Sequence, residues 1–201
     1  MNDEPLPIKH GFPVRVVIPG VAGARCVKWL DRITVQNEES TNYYQRHDYK
    51  ILPAHVTNSA EAKEYWDRIP AMDEMPVNSV VAVPDDYETV ELPSSGLVEV
   101  KGYAVPQGYH GPVTRVEVST DGGKSWIDAE LELDGSACSQ NRRFSWTLWK
   151  ACVPMPTGAG KEILSRATDA GGNMQQEHSQ WNLRGVGYNG YGASRNLTVV
   201  Q

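Results

Sequence analysis

Long apolar runs are missing from this sequence, and so are the features of a targeting segment. No window approaches eighteen consecutive apolar residues, which argues against a membrane-spanning helix. The first thirty residues lack a basic start followed by an apolar core, so they do not resemble a signal peptide. With 40% hydrophobic and 22% charged residues, the composition is that of an ordinary folded globular protein.

Cysteine is scarce, and its spacing excludes two kinds of cross-linked fold. The three cysteines, Cys26, Cys138 and Cys152, form no CxxC pair and no Cys/His zinc pattern. We therefore expect neither a disulfide framework nor a zinc site, and we expect each cysteine as a buried free thiol. Free thiols are typical of reducing compartments. An intracellular or organellar location, mitochondrial or peroxisomal, is predicted rather than secretion.

The net charge of -6 is unevenly distributed along the chain. Residues 9–50 carry seven Lys/Arg against four Asp/Glu, a local balance of +3 in an otherwise acidic protein. Nucleic-acid binding requires a broad positive surface, which this charge pattern does not offer. The basic segment is compatible with a small anionic ligand. The alternative is that these charges only decorate exposed strand faces.

A change in pattern divides the chain. Residues 66–76 carry two prolines and no clean period, which indicates a connection between domains 1–70 and 71–201. The first domain shows two candidate strands, at 14–20 and 27–35, and one short candidate helix at 61–66. Two strands cannot enclose a core, so this domain is predicted to be an incomplete part of a larger mixed α/β fold.

The second region has an all-β pattern. Thr114, Val116 and Val118 alternate with polar neighbours, which predicts one apolar face and one wet face. Turn signals such as Asp121-Gly-Gly123 separate the runs, and those glycines are expected to adopt positive φ. This pattern is typical of an immunoglobulin-like β-sandwich. Candidate strands are 79–83, 96–103, 114–119, 125–133, 143–151, 161–170 and 196–200.

Several segments together resemble one known family. They include the stretch from Met1 to Leu30 with His10-Gly-Phe-Pro-Val-Arg15, then Gln45-Arg-His-Asp-Tyr-Lys50 and Trp181-Asn-Leu-Arg-Gly-Val186. Lys101-Gly-Tyr-Ala104 and Val118-Ser-Thr-Asp-Gly-Gly-Lys-Ser-Trp126 belong to the same collinear set. The set resembles the sulfite oxidases, from the late part of their molybdopterin domain to the end of their sandwich dimerisation domain. The resemblance implies a homodimer formed through the sandwich.

The resemblance also implies contacts with the pterin cofactor. His10, Arg15, Cys26, Val27 and Lys28 match positions that contact the pterin and its phosphate in the family. Arg and Lys suit this chemistry, because one offers a planar donor fork and the other a movable positive charge. Animal sulfite oxidases usually carry His at the position of Cys26, so a backbone contact is the one that the resemblance supports there. The metal-binding cysteine of the family lies upstream of these segments.

Two further residues match the reaction pocket of the family. Tyr49 corresponds to the active-site tyrosine, whose neutral phenol can donate a hydrogen bond to a substrate oxygen. Arg184 corresponds to the arginine that sulfite oxidases bring to the substrate anion, and it was assigned with the sandwich region. Nitrate reductases usually have an apolar residue there, often Met. Arg184 therefore favours sulfite over nitrate. The aromatics Trp126, Trp146, Trp149 and Trp181 are interpreted as sandwich core or interface.

The implied activity is oxidation of sulfite to sulfate by oxygen-atom transfer with a molybdopterin cofactor. Met1 falls on an internal position of the family, so this chain is expected to hold an incomplete cofactor site, to bind molybdenum poorly and to show no appreciable turnover alone. Two alternatives remain open. One is a nitrate reductase, and the other is a dimerisation module without chemistry. No nucleic acid and no membrane partner is expected.

Overall fold

The computed structural model describes residues 3–132 and 143–201. These residues form two units, of which one comprises Met1–Met75 with Gln180–Tyr188. The other comprises Pro76–Ser179 with Asn189–Gln201. The segment that carries Arg184 therefore belongs to the first unit, whereas the sequence pattern had placed it with the sandwich. Cys138 and the end of the candidate strand at 125–133 lie outside the described residues.

Short turns dominate the first unit. Its helical pieces are 3-10 turns at Ile8–His10 and Gly23–Arg25, a π-helical turn at Tyr44–Asp48 and the α-helix α1 at Ser59–Ala62. The helix begins two residues before the predicted start at residue 61. Asn58 explains that start, because its side chain caps the backbone N–H groups of Ala60 and Glu61 at 3.0 and 3.1 Å.

The two strands expected in the first unit do not form a regular ladder in the described structure. Segments 14–20 and 27–35 are joined by the bonds from Val16 N to Val27 O and from Leu30 N to Val14 O, both at 3.0 Å. Pro19 has no N–H to donate, and Trp29 has a φ of 53°, which is outside the extended region. A β-rich composition therefore produced an irregular pair of segments.

The second unit is a sandwich of two sheets. One sheet has the strand order β1-β3-β7-β6 and the other β2-β9-β8-β4-β5, with β2 and β9 parallel and the other pairs antiparallel. The predicted mainly-β fold is confirmed. The strands are β1 Asn78–Val83, β2 Thr89–Glu91, β3 Leu97–Val105, β4 Val113–Ser119, β5 Ile127–Asp128, β6 Glu130–Glu132, β7 Thr147–Pro154, β8 Gly158–Asp169 and β9 Gly192–Val200.

The sandwich core lies between the sheets and is centred on Trp149, which is 1% exposed. Strand β3 alternates exposed and buried residues along its length, as a strand with one covered face requires. Gly102 on β3 makes room for the tryptophan ring, because a Cβ there would lie 2.3 Å from Trp149 Cζ2. The prediction that Trp149 belongs to the core is confirmed, whereas Trp146 and Trp181 are exposed.

Strand β4 does not have the wet face that its alternation predicted. Thr114, expected with the apolar residues, is exposed, and Glu117, expected on the wet face, is only 3% exposed. The strand is irregular between Val113 and Arg115, which breaks the simple alternation. Glu117 tolerates burial because Arg166 donates to both of its carboxylate oxygens, at 2.8 and 3.1 Å.

Three local expectations are decided by the same structure. The candidate strand at 125–133 divides, because β5 pairs with β4 in one sheet and β6 pairs with β7 in the other. The Asp121 turn has its glycines at φ values of 75° and 83°, as predicted. Cys26 is half-buried and Cys152 exposed, so the expectation of buried thiols is wrong for both. Cys152 lies on the outward face of β7, where alternation exposes it.

Among the described residues, no helix is long and apolar enough to cross a membrane.

Candidate functional site

Tyr49 lies immediately after the π-helical turn Tyr44–Asp48, and its backbone is held from both sides. Its carbonyl accepts a hydrogen bond from Met72 N at 2.7 Å. The next residue, Lys50, is 3% exposed and donates to the carbonyl of Trp66. These contacts fix the backbone of a half-buried tyrosine whose side chain lines a cavity. A tyrosine anchored in this way can present its hydroxyl in one position.

Arg184 is paired with the residue that precedes Tyr49. Its Nη2 donates to Asp48 Oδ1 at 2.6 Å, and its Nε donates to the Asp48 carbonyl at 3.4 Å. The Arg184 side chain is 41% exposed and that of Asp48 is 18% exposed. The structure thus brings together Arg184 and Tyr49, the two residues predicted for the reaction pocket. The sequence did not indicate Asp48 as their link.

The loop that carries Arg184 is closed by its own hydrogen bonds. Asn182, which is 6% exposed, donates from Nδ2 to the Val186 carbonyl at 2.8 Å and accepts from Val186 N at 3.2 Å. Leu183 packs against the small core cluster of Leu52, Val56 and Ala62. The loop is therefore anchored on both sides of Arg184, which limits the positions that the guanidinium can reach.

The residues predicted to contact the pterin form a cluster in the same unit. Gly11 has a φ of 115°, and a Cβ at this position would lie 3.1 Å from Lys28 Cα and 3.2 Å from Arg15 Cβ. The Gly11 backbone, next to His10, therefore approaches both basic residues closely. Arg15 Nε donates to the Cys26 carbonyl at 3.2 Å, and Lys28 Nζ donates to the Lys9 carbonyl at 2.9 Å.

Two residues of the basic cluster contribute mainly through their backbone. The Cys26 carbonyl is committed to Arg15, while its Sγ lies 3.5 Å from Ile18 N. The Val27 carbonyl accepts from Val16 N, and Val27 also lines the cavity that contains Tyr49. This arrangement agrees with a backbone contact at Cys26, and it connects the basic cluster to the Tyr49 cavity through a single residue.

The cavity beside Tyr49 has a volume of about 570 Å³, and Arg25, Asn42, Tyr44 and Gln45 also line it. Arg25 donates from Nη1 to the Tyr44 carbonyl at 3.1 Å, and its guanidinium lies over the Tyr49 ring at 5.5 Å. The sequence had indicated Arg25 only as one charge of the basic segment. Its position next to Cys26 in the chain was the available signal.

Charge and donor type determine which ligands this region can hold. Arg15, Lys28 and a glycine with close backbone approach suit an anionic, phosphate-bearing cofactor. Arg15 has five N–H donors, of which Nε uses one on the Cys26 carbonyl. Among the described residues, no group of three or more His, Cys, Asp or Glu side chains could hold a metal ion. The residues therefore fit the organic part of a cofactor.

Comparison with protein families places both halves of the chain. Residues 69–194 match the model of the Mo-co oxidoreductase dimerisation domain. Residues 1–44 match the oxidoreductase molybdopterin binding domain. Human mitochondrial sulfite oxidase is 46% identical over 189 residues, which is 92% of this chain. The chain belongs to the sulfite oxidase family. The predicted family and its molybdopterin cofactor are thereby confirmed.

Other relatives show how widely this part of the sulfite oxidase family extends. Sulfite oxidase of Arabidopsis thaliana is 40% identical over 92% of this chain and 47% of that protein. Nitrate reductase [NADH] 1 of Oryza sativa subsp. japonica is 39% identical over 92% of this chain and 21% of that protein. The chain spans 33% of the human sulfite oxidase, about a third of its length.

A solved structure supports the fold assignment. The sulfane dehydrogenase SoxCD from Paracoccus pantotrophus superposes with a TM-score of 0.70 over the whole of this chain and 49% of the other. The two sequences are 23% identical, so this likeness concerns the fold alone. Within the family matches, His10, Arg15, Cys26, Val27 and Lys28 fall in the molybdopterin-binding segment and Arg184 in the dimerisation segment.

Proposed function

We propose that this chain is part of a molybdenum-dependent sulfite oxidase. The observation that carries the proposal is the pairing of Arg184 with Asp48, which holds a guanidinium beside Tyr49. In this proposal His10, Arg15, Cys26, Val27 and Lys28 contribute contacts to the pterin. The chain supplies those contacts, one side of the anion pocket and the dimerisation domain.

In this proposal the chain acts by binding and orienting the substrate anion. Arg184 supplies positive charge for the sulfite oxygens, and Asp48 limits where its guanidinium can move. The Tyr49 hydroxyl donates a hydrogen bond to a substrate oxygen and retains its own proton. The molybdenum cofactor, when bound, supplies the two-electron oxidation. Sulfate formation then depends on how well these groups position the anion.

The proposal is tested by exchanging Arg184 for Met in the protein as its gene encodes it, loaded with cofactor. We expect KM for sulfite to rise about tenfold to a hundredfold, because a charge-assisted hydrogen bond of about 1.5–3 kcal/mol is lost. The matched control is Arg195→Met, since Arg195 is an exposed sandwich arginine paired with Glu162 at 2.7 Å. Unchanged KM in Arg184→Met would contradict the role of Arg184.

Nitrate reduction is the second candidate activity, favoured by the 39% identity to the rice enzyme. The same two proteins distinguish it, because sulfite oxidation and nitrate reduction can be assayed side by side. Sulfite turnover that falls in Arg184→Met, with no nitrate turnover in either protein, supports the sulfite assignment. Nitrate turnover by the unaltered protein would replace that assignment.

We also propose that the sandwich forms a homodimer, on the basis of the dimerisation-domain match over residues 69–194. Sedimentation equilibrium of the 201-residue chain should give twice the mass of the 22.2 kDa protomer. Metal analysis of the same sample tests whether the chain is a dimerisation module without chemistry. One tightly bound molybdenum per chain, with sulfite turnover, would contradict our expectation that this chain is inactive alone.

For location, we propose an organellar protein. The support is that the human and Drosophila melanogaster relatives are named as mitochondrial. Subcellular fractionation of the source cells, with an antibody against the sandwich, should recover the protein in the organellar fraction. Recovery in the soluble fraction with the cytosolic marker would contradict this assignment.

A further inference from the structure

Arg25 has two guanidinium nitrogens that lack a hydrogen-bond partner. Nε and Nη2 are both shielded from solvent, and neither meets an acceptor among the described residues. The guanidinium stays charged at any physiological pH, and burying a charged donor without an acceptor is costly. Buried donors in native proteins therefore nearly always have a partner. An acceptor for these two nitrogens remains to be identified.

The two unpartnered nitrogens define the chemistry of that acceptor. Nε and Nη2 form one edge of the guanidinium plane, the edge that binds two oxygen atoms of a single oxyanion. The third nitrogen, Nη1, is committed to the Tyr44 carbonyl at 3.1 Å and fixes the orientation of the plane. Arg25 is thus held in place with one bidentate edge unused.

The surroundings of Arg25 favour an anion over a cation or an apolar group. The cavity that it lines contains Tyr49, Asn42 and Gln45, which carry neutral hydrogen-bonding groups, and no carboxylate is among the described lining residues. The nearby Glu39 carboxylate accepts from Gln45 Nε2 at 2.6 Å. The positive charge of Arg25 therefore meets no lining carboxylate in the cavity.

Arg184 differs from Arg25 in this respect. The Arg184 guanidinium is neutralised by Asp48 at 2.6 Å, whereas the Nε and Nη2 edge of Arg25 is open. Arg25 also lies 5.5 Å from the centre of the Tyr49 ring, so an anion on that edge would lie near the tyrosine. We propose that Arg25 is a further anion-binding residue of this chain, which binds a small oxyanion through Nε and Nη2 in the Tyr49 cavity.

This proposal rests on the proposed function only for the identity of the anion, which would be sulfite or sulfate. The pterin phosphate is the other source of the same oxyanion chemistry. Binding is measured on the 201-residue chain without cofactor, so it is independent of turnover. Loss of the Arg25 effect with a normal Arg184→Met result would reject this proposal alone.

The test is a titration of the chain with sodium sulfate, sodium sulfite and a phosphate monoester at constant ionic strength. Binding is followed by calorimetry and by the NMR signals of Arg25 Nε and of the Tyr44 and Tyr49 amides. We expect saturable shifts at these groups and binding at least about tenfold weaker in Arg25→Gln. Arg25→Lys, which keeps the charge but loses the edge, should fall between the two.

The control variant is Arg32→Gln, which removes an exposed arginine of the same basic segment. It should bind anions like the unaltered chain. Preference for sulfate and sulfite assigns the site to the substrate, and binding of the phosphate monoester alone assigns it to the cofactor phosphate. Absence of saturable binding, or equal binding by Arg25→Gln and Arg25→Lys with well-dispersed amide signals, would overturn the proposal.

Discussion

The two units of this chain are stabilised in different ways. The sandwich buries sixteen hydrophobic residues in one cluster, with Trp149 at its centre. The unit that carries Tyr49 and Arg184 buries a cluster of Leu52, Val56 and Ala62. In this unit individual side chains bond to distant backbone groups, as Arg25 does to Tyr44. Burial of apolar area specifies the sandwich, whereas single polar contacts position the candidate site.

This difference teaches where each unit is sensitive to change. A packed core responds to the loss of volume, because cavities remain partly unfilled. A site held by separate hydrogen bonds responds to loss of one donor or acceptor, with effects that stay local. The exposure of Ile33 at 75% and Val35 at 95% shows how little apolar packing the first unit uses in that segment.

The largest effect is expected from Trp149→Ala in the sandwich core. The side chain is 1% exposed, and removal of a buried tryptophan costs about 3–5 kcal/mol of the free energy of unfolding. Urea unfolding followed by circular dichroism measures the loss. The matched control is Trp146→Ala, because Trp146 is 67% exposed and stacks on Tyr103. That control should cost less than about 1.5 kcal/mol. Equal losses in the two variants would contradict a core centred on Trp149.

A smaller effect is expected from a methyl group added in each unit. In Gly102→Ala the new Cβ would lie 2.0 Å from the Val80 carbonyl oxygen, so strand β3 must shift, at a cost of about 1–3 kcal/mol. In Gly23→Ala the Cβ meets nothing within 4 Å, and the change should stay within about 0.5 kcal/mol. Thermal unfolding of both variants measures the difference. Similar melting temperatures would remove the contrast in packing between the units.

The smallest effect concerns one exposed carboxyl group in each unit. The hydrogen bond and charge of Arg46 lower the pKa of Asp67, and hydrogen bonds from Ser125, Ser119 and Lys124 lower the pKa of Asp121. The ionised forms therefore contribute stability that is present above about pH 4 and is lost as the pH falls through the lowered pKa of each group.

Carbonyl-carbon NMR titration of both carboxyl groups checks this prediction. High salt should raise the pKa of Asp67 toward its ordinary value, because part of its shift comes from the charge of Arg46. The pKa of Asp121 should change less, since neutral hydrogen bonds cause most of its shift. An equal response of the two groups to salt would show that the same interaction lowers both pKa values.

Much of the sandwich could be predicted from the sequence. Alternation and turn residues located β1, β3, β4, β8 and β9, because side chains on a strand with one covered face repeat with a period of two. The short strand β2 was missed, since three residues are too few to show that period. The division between β5 and β6 was also missed, because the pattern does not reveal which sheet a strand joins.

The first unit was harder to predict because its structure is irregular. Pattern indicated strands at 14–20 and 27–35, but Pro19 and the positive φ of Trp29 leave only scattered hydrogen bonds. The family resemblance nevertheless indicated residues that the structure brings together. Arg15 and Lys28 both lie against Gly11, and Arg184 lies beside Tyr49 through Asp48.

The sequence by itself determined the sandwich fold, the family and the residues that carry the candidate chemistry. Tertiary structure decided which of those residues meet. Arg184 and Asp48 are 136 positions apart, and their ion pair depends on a loop that groups with the first unit. The bidentate edge of Arg25 likewise became visible only with its neighbours in place. Periodicity is a local property of the chain, whereas the pairing of charges depends on contacts between distant segments.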